Sequence, residues 1–384
     1  MPDDVHLDVE KFSPRACARV DHSAAAPFTP SILLQLGTPA LVGLASNVFA
    51  AKFDLMKFTP AKAILDDALA RRLLVPGGHV IESSSGTFAL ALAILCSLYK
   101  LRLTLVTGPV SPVVRWRLEN LGAEIVIVPT ANNCEGGIQQ ARLNVLASLL
   151  KKHPDAFWPR QYTNPLNAAS YEPIALQLIK ALPRIDTLVG TVGSGGSLFG
   201  MARVLRRINP HLKVVAIDHN RSVIFGARPV RITRMCRETY EQLLAMGAGI
   251  PMGNVEYAAC DVVHWVPVPQ MVRAVHRFHR ATGYLVGPSS GAALDVAYWE
   301  GRSSKRNNVL TLLPDHGVRY ADTMFNPDWL SRWTADLATE DAKPRFVRSP
   351  AHIHEHWSAF VWKRGSFESI HGHSPRPREQ GFNP

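Results

Sequence analysis

Five consecutive residues, Gly193-Ser194-Gly195-Gly196-Ser197, carry the plainest chemical signal in this chain. They follow the β-branched run DTLVGTV (186–192) and lead into the helical pattern LFGMARVLRRI. Closely spaced glycines let successive backbone N–H groups turn toward one point, and the start of the following helix adds partial positive charge. The segment therefore suits a phosphate without needing Lys or Arg. It is not G-x-G-x-x-G and no G-K-[ST] follows, which speaks against dinucleotide and nucleoside-triphosphate binding. The alternative is a tight strand-to-helix turn with no ligand.

A second small-residue turn, Ser83-Ser84-Ser85-Gly86-Thr87, follows the strand pattern HVIES (79–83) and opens the apolar helix FALALAILCSLY. Its hydroxyls and free N–H groups suit a carboxylate, or serve only as a helix cap. A third, Gly287-Pro288-Ser289-Ser290-Gly291, precedes AALDVAYWEG. Three such turns at strand ends fit a ligand carrying a phosphate, a carboxylate and a polar ring.

The elements that must hold these turns alternate between short β-branched runs and helical stretches, the pattern of an α/β chain with parallel strands and helical crossovers. NVFAAKF (47–53) reads as a strand, and Thr59 reads as the cap of a helix with Pro60 at its first position. LRLTLVT and AEIVIVPT are strands flanking the helix SPVVRWRLENLG; KVVAIDH and NNVLTLLP (307–314) are later strands. The expected organisation is a polar tail over 1–30 and an α/β domain over 31–160, whose residues 31–46 pack on the second domain. A phosphate-binding α/β domain over 161–335 and a basic Pro/His-rich tail over 336–384 complete it. In that last tail, Trp357, Phe360, Val361 and Trp362 either stay free or dock on the body or a partner. Its His352, His354, His356, His371 and His373 lack an ordering framework, so no metal site is expected.

The chain has 384 residues, 47% of them hydrophobic and 19% charged, which excludes disorder throughout. Its formal charge of +11 comes from basic residues scattered along the sequence, a solvated surface rather than a nucleic-acid stripe. Cys17, Cys96, Cys134, Cys236 and Cys260 contain no C-x-x-C pair and are odd in number, so a reducing compartment is expected. The acidic, polar start and the interrupted apolar runs point to a cytoplasmic protein without a membrane segment.

In order and spacing, LGTPALVGL, HVIESSSGT, RQYTNPLN (160–167), GSGGS and GPSSGAALDVA resemble the cysteine synthase family of pyridoxal-phosphate (PLP) enzymes. The resemblance covers about residues 31 to 335 and implies the two-domain fold type II, that of tryptophan synthase β. RSVIFG (221–226), PDHGVRYADTMF (314–325) and CEGGIQQAR (134–142) bring it closer to the members that join O-phosphoserine to glutamate in siderophore-precursor biosynthesis. The resemblance implies that Lys57 is the Schiff-base lysine, that Gly193, Ser194, Gly195, Gly196 and Ser197 hold the PLP phosphate, and that Ser289 meets the pyridine nitrogen. Thr87 stands at the position that contacts the PLP hydroxyl. Ser84, Ser85, Gly86 and Thr87 with Gln161 would bind the substrate carboxylate, Arg142 its phosphate, and Tyr162 would line the same pocket. The implied reaction is β-replacement on an activated serine through an aminoacrylate, with an amino-acid nucleophile, in a homodimer.

The family pattern is broken at several points. The N-P-x-G-S loop before the lysine is missing, Phe58 and Thr59 replace Asp-Arg, and Thr87-Phe88 replace an asparagine and a small polar residue. RITRMCRETYEQLLAM (231–246) is an insertion near the expected entrance. Two other readings follow: a cysteine synthase using O-acetylserine and sulfide, and a pseudoenzyme or binding module on the same fold.

Overall fold

The computed structural model describes residues 31–129, 137–182, 184–227, 234–243, 246–338 and 340–375. The segment 1–30 with Cys17, the residue Cys134 and the segment 376–384 lie outside them.

Two sheets organise the described residues. The smaller is built from β3 (His79–Ser83), β4 (Arg102–Thr107) and β5 (Ala123–Ile127), all parallel. The larger contains β1 (Ala40–Ala45), β2 (Val48–Lys52), β6 (Thr187–Thr191), β7 (Lys213–Asp218), β8 (Val262–Trp265), β9 (Val309–Leu313), β10 (Arg345–Phe346) and β11 (Ser358–Val361). Their order is β1-β2-β9-β6-β7-β8-β11-β10. The central strands β2, β9, β6, β7 and β8 run parallel. A parallel sheet covered on both faces needs apolar residues on both, and every residue of β9 is buried. Separate clusters fill the two faces of the large sheet, and a third packs helices Phe58–Ala70 and Thr87–Leu98 on the small one. The mixed α/β architecture is that of fold type II.

Three local expectations need correction. The strand at 47–53 belongs to the large sheet, pairing in register from Val48↔Val309 to Lys52↔Leu313, although the helix after it packs on the small one. That helix begins at Phe58, with Lys57 rather than Thr59 at its cap. The Thr59 hydroxyl donates to the Gly37 carbonyl at 3.1 Å, so it ties the helix start to the preceding helix Ser31–Gly37.

The third correction concerns the C-terminal segment, which within its described residues is no tail. β11 pairs antiparallel with β8, from Ser358↔Trp265 to Val361↔Val262, and covers what would be an open sheet edge. Trp357 and Trp362 are fully buried. Trp357 Nε1 donates to His264 Nδ1 at 3.0 Å, and Arg364 Nε donates to Asp261 Oδ1 at 2.7 Å. A four-residue strand flanked by His, Pro and Arg has too little periodicity to read from sequence. Burial of two indoles supplies the driving force instead.

Candidate active site

The carboxyl ends of β3, β6 and β9 point to one cleft between the two sheets, the place where open parallel sheets receive ligands. It gathers Lys57 with Ser84, Ser85, Gly86 and Thr87 from the turn after β3. Gly193, Ser194, Gly195 and Ser197 reach it from the turn after β6, and Arg142, Gln161 and Tyr162 also line it, whereas Gly196 and Ser289 of the expected set do not.

Lys57 sits at the cap of its helix with its amine buried, and Nζ donates to Ser194 Oγ at 2.8 Å. Burial alone lowers this amine to about 8, because an ammonium loses hydration that no carboxylate replaces. A useful fraction is thus neutral, and nucleophilic, near neutral pH.

The turn after β6 enters helix Gly196–Ile208 through Gly195, whose φ of +86° is left-handed. A Cβ at Gly195 would lie 2.6 Å from the Asn254 carbonyl oxygen, so both conformation and space require glycine there. Gly196 does not face the cleft. Its α-carbon backs onto Asn167, where a Cβ would stand 2.1 Å from Oδ1.

The turn after β3 is held from several sides. Gln161 donates from Nε2 to the Ser83 carbonyl at 3.2 Å and from its backbone to Glu82 Oε2 at 3.3 Å. Arg142, on helix Gly137–Lys152, donates from Nη1 to Ser85 Oγ at 3.0 Å. Arg319 donates from Nη2 to the Ser85 carbonyl oxygen at 3.0 Å. Gly86 caps helix Thr87–Leu98 in an extended conformation, leaving the amides of its first turn open toward the cleft. Phe88, the departure beside Thr87, is buried and packs with the core of the small sheet as well as bordering the cleft.

Ser289 begins helix Pro288–Ser303 and is 1% exposed; its hydroxyl has no partner among the described residues. A buried hydroxyl left in that state costs free energy unless a ligand atom meets it.

Sequence reasoning missed Asp315, Arg319, Asn167 and Gln139. Asp315 follows β9, borders the cleft and accepts from Tyr320 OH at 3.1 Å; burial pushes its carboxyl up to about 6. Gln139 lines the cleft and accepts from the Gly249 backbone amide, joining helix Gly137–Lys152 to the segment after the insertion. All four lie in motifs already quoted, Asp315 and Arg319 in PDHGVRY, Gln139 in CEGGIQQAR and Asn167 in RQYTNPLN. Met246, the last residue of the insertion, also lines the cleft.

The arrangement fits PLP. A buried amine of lowered pKa suits an aldehyde, and a glycine turn at a helix start suits a phosphate.

The model of the pyridoxal-phosphate dependent enzyme family matches residues 56–315. The N-(2-amino-2-carboxyethyl)-L-glutamate synthase of Ralstonia nicotianae is 35% identical over 288 residues, 74% of this chain and 82% of that protein. The synthase of the same name from Cupriavidus metallidurans is 33% identical over 344 residues, 83% of this chain and 95% of that one. Among solved structures, O-ureido-L-serine synthase aligns at a TM-score of 0.66 and 24% identity, over 79% of this chain and 100% of that one. A hydrogen sulfide-producing enzyme of Fusobacterium nucleatum gives 0.67 at 19% identity, over 76% and 100%; likenesses this distant speak to fold alone. The chain belongs to the pyridoxal-phosphate dependent enzyme family. It is a PLP-dependent enzyme of the cysteine synthase-like, β-replacement kind, which sets aside the reading as a pseudoenzyme.

Proposed function

We propose that this enzyme replaces the β-substituent of an activated serine, O-phospho-L-serine by preference, with an amino-acid nucleophile such as glutamate. The two synthases that share a third of its residues are named for the product of such a joining, and the product would serve 2,3-diaminopropionate or siderophore-type biosynthesis. The observation that carries the phosphate preference is Arg142, a buried guanidinium directed at Ser85, with its Nε left without an acceptor among the described residues. Guanidinium geometry matches phosphate better than a neutral acetyl ester.

In this reading Lys57 carries the cofactor, and its amine, once released, moves the proton at the substrate Cα. Gly193, Ser194, Gly195, Gly196 and Ser197 hold the phosphate of PLP through the helix start, Gly196 serving as the backbone position that lets Asn167 approach. The Ser289 hydroxyl would donate a hydrogen bond to the pyridine nitrogen, leaving it unprotonated, and Thr87 would meet the ring hydroxyl. Ser84, Ser85, Gly86 and Gln161 hold the substrate carboxylate, and Tyr162 borders the same space. When bound, PLP supplies an electron sink that acidifies Cα and lets the β-substituent leave. Arg142 neutralises the departing phosphate.

No helix among the described residues is long and apolar enough to cross a membrane. We place the enzyme in the cytoplasm as a homodimer working on small-molecule amino acids, without nucleic acid or membrane partners; its mass by light scattering tests the dimer.

The decisive experiment titrates purified protein with PLP, then adds O-phosphoserine with and without glutamate. A visible absorbance band that is lost in Lys57→Ala, and product formed only with glutamate present, is the expected result. Turnover of O-acetylserine with sulfide, in preference to that pair, would make it a cysteine synthase instead.

A further inference from the structure

Asn167 touches no space in the cleft, yet two of the cleft's groups depend on it. It lies on the short helix Leu166–Ala169 and is fully buried. Its Nδ2 donates to the Gln161 carbonyl at 2.6 Å and to Ser194 Oγ at 3.0 Å. The amide cannot be reversed, because its oxygen would then face the Gln161 carbonyl, acceptor against acceptor. Lys57 Nζ donates to the same Ser194 Oγ at 2.8 Å.

A hydroxyl oxygen accepts two hydrogen bonds and gives one proton. With both acceptor sites of Ser194 taken, by Asn167 and Lys57, its proton is what remains to offer, and Ser194 lines the cleft. The close approach of Gly196 to Asn167 Oδ1 leaves no room for the amide to swing aside.

We propose that Asn167 is a positioning residue for the cofactor site: by donating to Ser194 it commits that hydroxyl to accept from the Lys57 amine and to donate its own proton to an anion in the cleft. The proposal rests on the reading in which residues 193–197 hold the cofactor phosphate. It adds a group behind the cradle that makes one hydroxyl serve both the amine and the anion.

The test is a double-mutant cycle on the full chain, read as the PLP dissociation constant from the absorbance titration, with circular dichroism as the fold control. Asn167→Ala and Ser194→Ala each weaken PLP by about tenfold, the worth of one hydrogen bond to a charged group. The double variant binds PLP no worse than Ser194→Ala, since the proposed effect of Asn167 on the anion runs through that hydroxyl and not through its bond to the Gln161 carbonyl. Losses that multiply in the double variant would overturn the proposal, because a merely structural asparagine gives additive effects. Should Asn167→Ala fold poorly, the similarly sized Asn167→Asp serves. The oxygen that replaces Nδ2 needs its one proton for the Gln161 carbonyl and so accepts from the Ser194 hydroxyl instead of donating to it, which draws that hydroxyl away from the anion and weakens PLP about tenfold; parental affinity in that variant refutes the role. A parent chain that binds no PLP removes the reading beneath the proposal, whereas a binding parent with an additive cycle removes only the proposal.

Discussion

Arg142 Nη1 lies 3.0 Å from Ser85 Oγ, and it joins helix Gly137–Lys152 to the turn after β3. Arg319 grips the carbonyl of the same serine from the other side, so Ser85 is fixed in both side chain and backbone by two cations. Arg142→Ala removes a charged donor worth about 1.5–3 kcal/mol. It should lower kcat/KM for O-phosphoserine by roughly 10- to 150-fold while leaving O-acetylserine within about threefold, measured side by side under pseudo-first-order conditions. Equal losses on both substrates would leave Arg142 no part in phosphate preference.

The Lys57 amine gives a pH signature before any chemistry. Its value in the fold is about 8 against 10.5 for an ordinary lysine, so between those values the unfolded chain holds a proton that the folded chain has lost. Stability of the cofactor-free protein should therefore rise with pH across that window, by up to about 3 kcal/mol, and be lost again as pH falls toward 8. In Lys57→Met the rise should vanish. Urea midpoints of the two proteins across pH 7.5–10, with unchanged m-values, would check it.

Gly195→Ala tests the turn after β6. The left-handed backbone and the Asn254 carbonyl 2.6 Å from the new methyl should cost about 1–3 kcal/mol of stability. The larger effect should be on cofactor affinity, since any shift of this turn redirects the amides of residues 195–197. PLP titration of the folded variant reads that effect separately from its melting temperature.

The C-terminal segment yields a prediction about the whole fold. Trp357→Ala should cost about 3–5 kcal/mol, because it empties a fully buried site and strands His264 Nδ1 without its donor. Burial holds the imidazole of His264 down at about 3 against an ordinary 6.5. The unfolded chain therefore takes up a proton there first, and stability contributed by the neutral ring is lost as pH falls from 6.5 toward 3. Denaturation of parent and His264→Gln at pH 7 and pH 5 should show a smaller acid loss in the variant.

Much of the site was legible because its chemistry is local. The glycine turn and the serine turn each follow an identifiable strand, and strand-to-helix punctuation is carried by neighbours in sequence; the Ser289 turn, expected at a strand end, follows only the isolated bridge Val286↔His316. Lys57 was read by resemblance, and the missing loop before it does not keep it from the cleft: β2 pairs with β9 and delivers the helix start directly beside Ser194. Asn167, Arg319 and Asp315 were not singled out, since nothing in the spacing of those residues states what they touch. β8, β10 and β11 escaped for a different reason, being two to four residues long.

The amino-acid sequence alone determined the alternation of strands and helices and the small-residue turns suited to anions, while the cofactor came from the resemblance those motifs carry. These follow from backbone freedom and hydrophobic period, which act over a few residues. Only the tertiary structure decided that a lysine at 57 and a serine at 194 share a hydrogen bond, that two arginines meet on Ser85, and that the last aromatic segment closes a sheet edge. Those relations join residues far apart in the chain, and they exist only once burial of the sheets has brought the strand ends together.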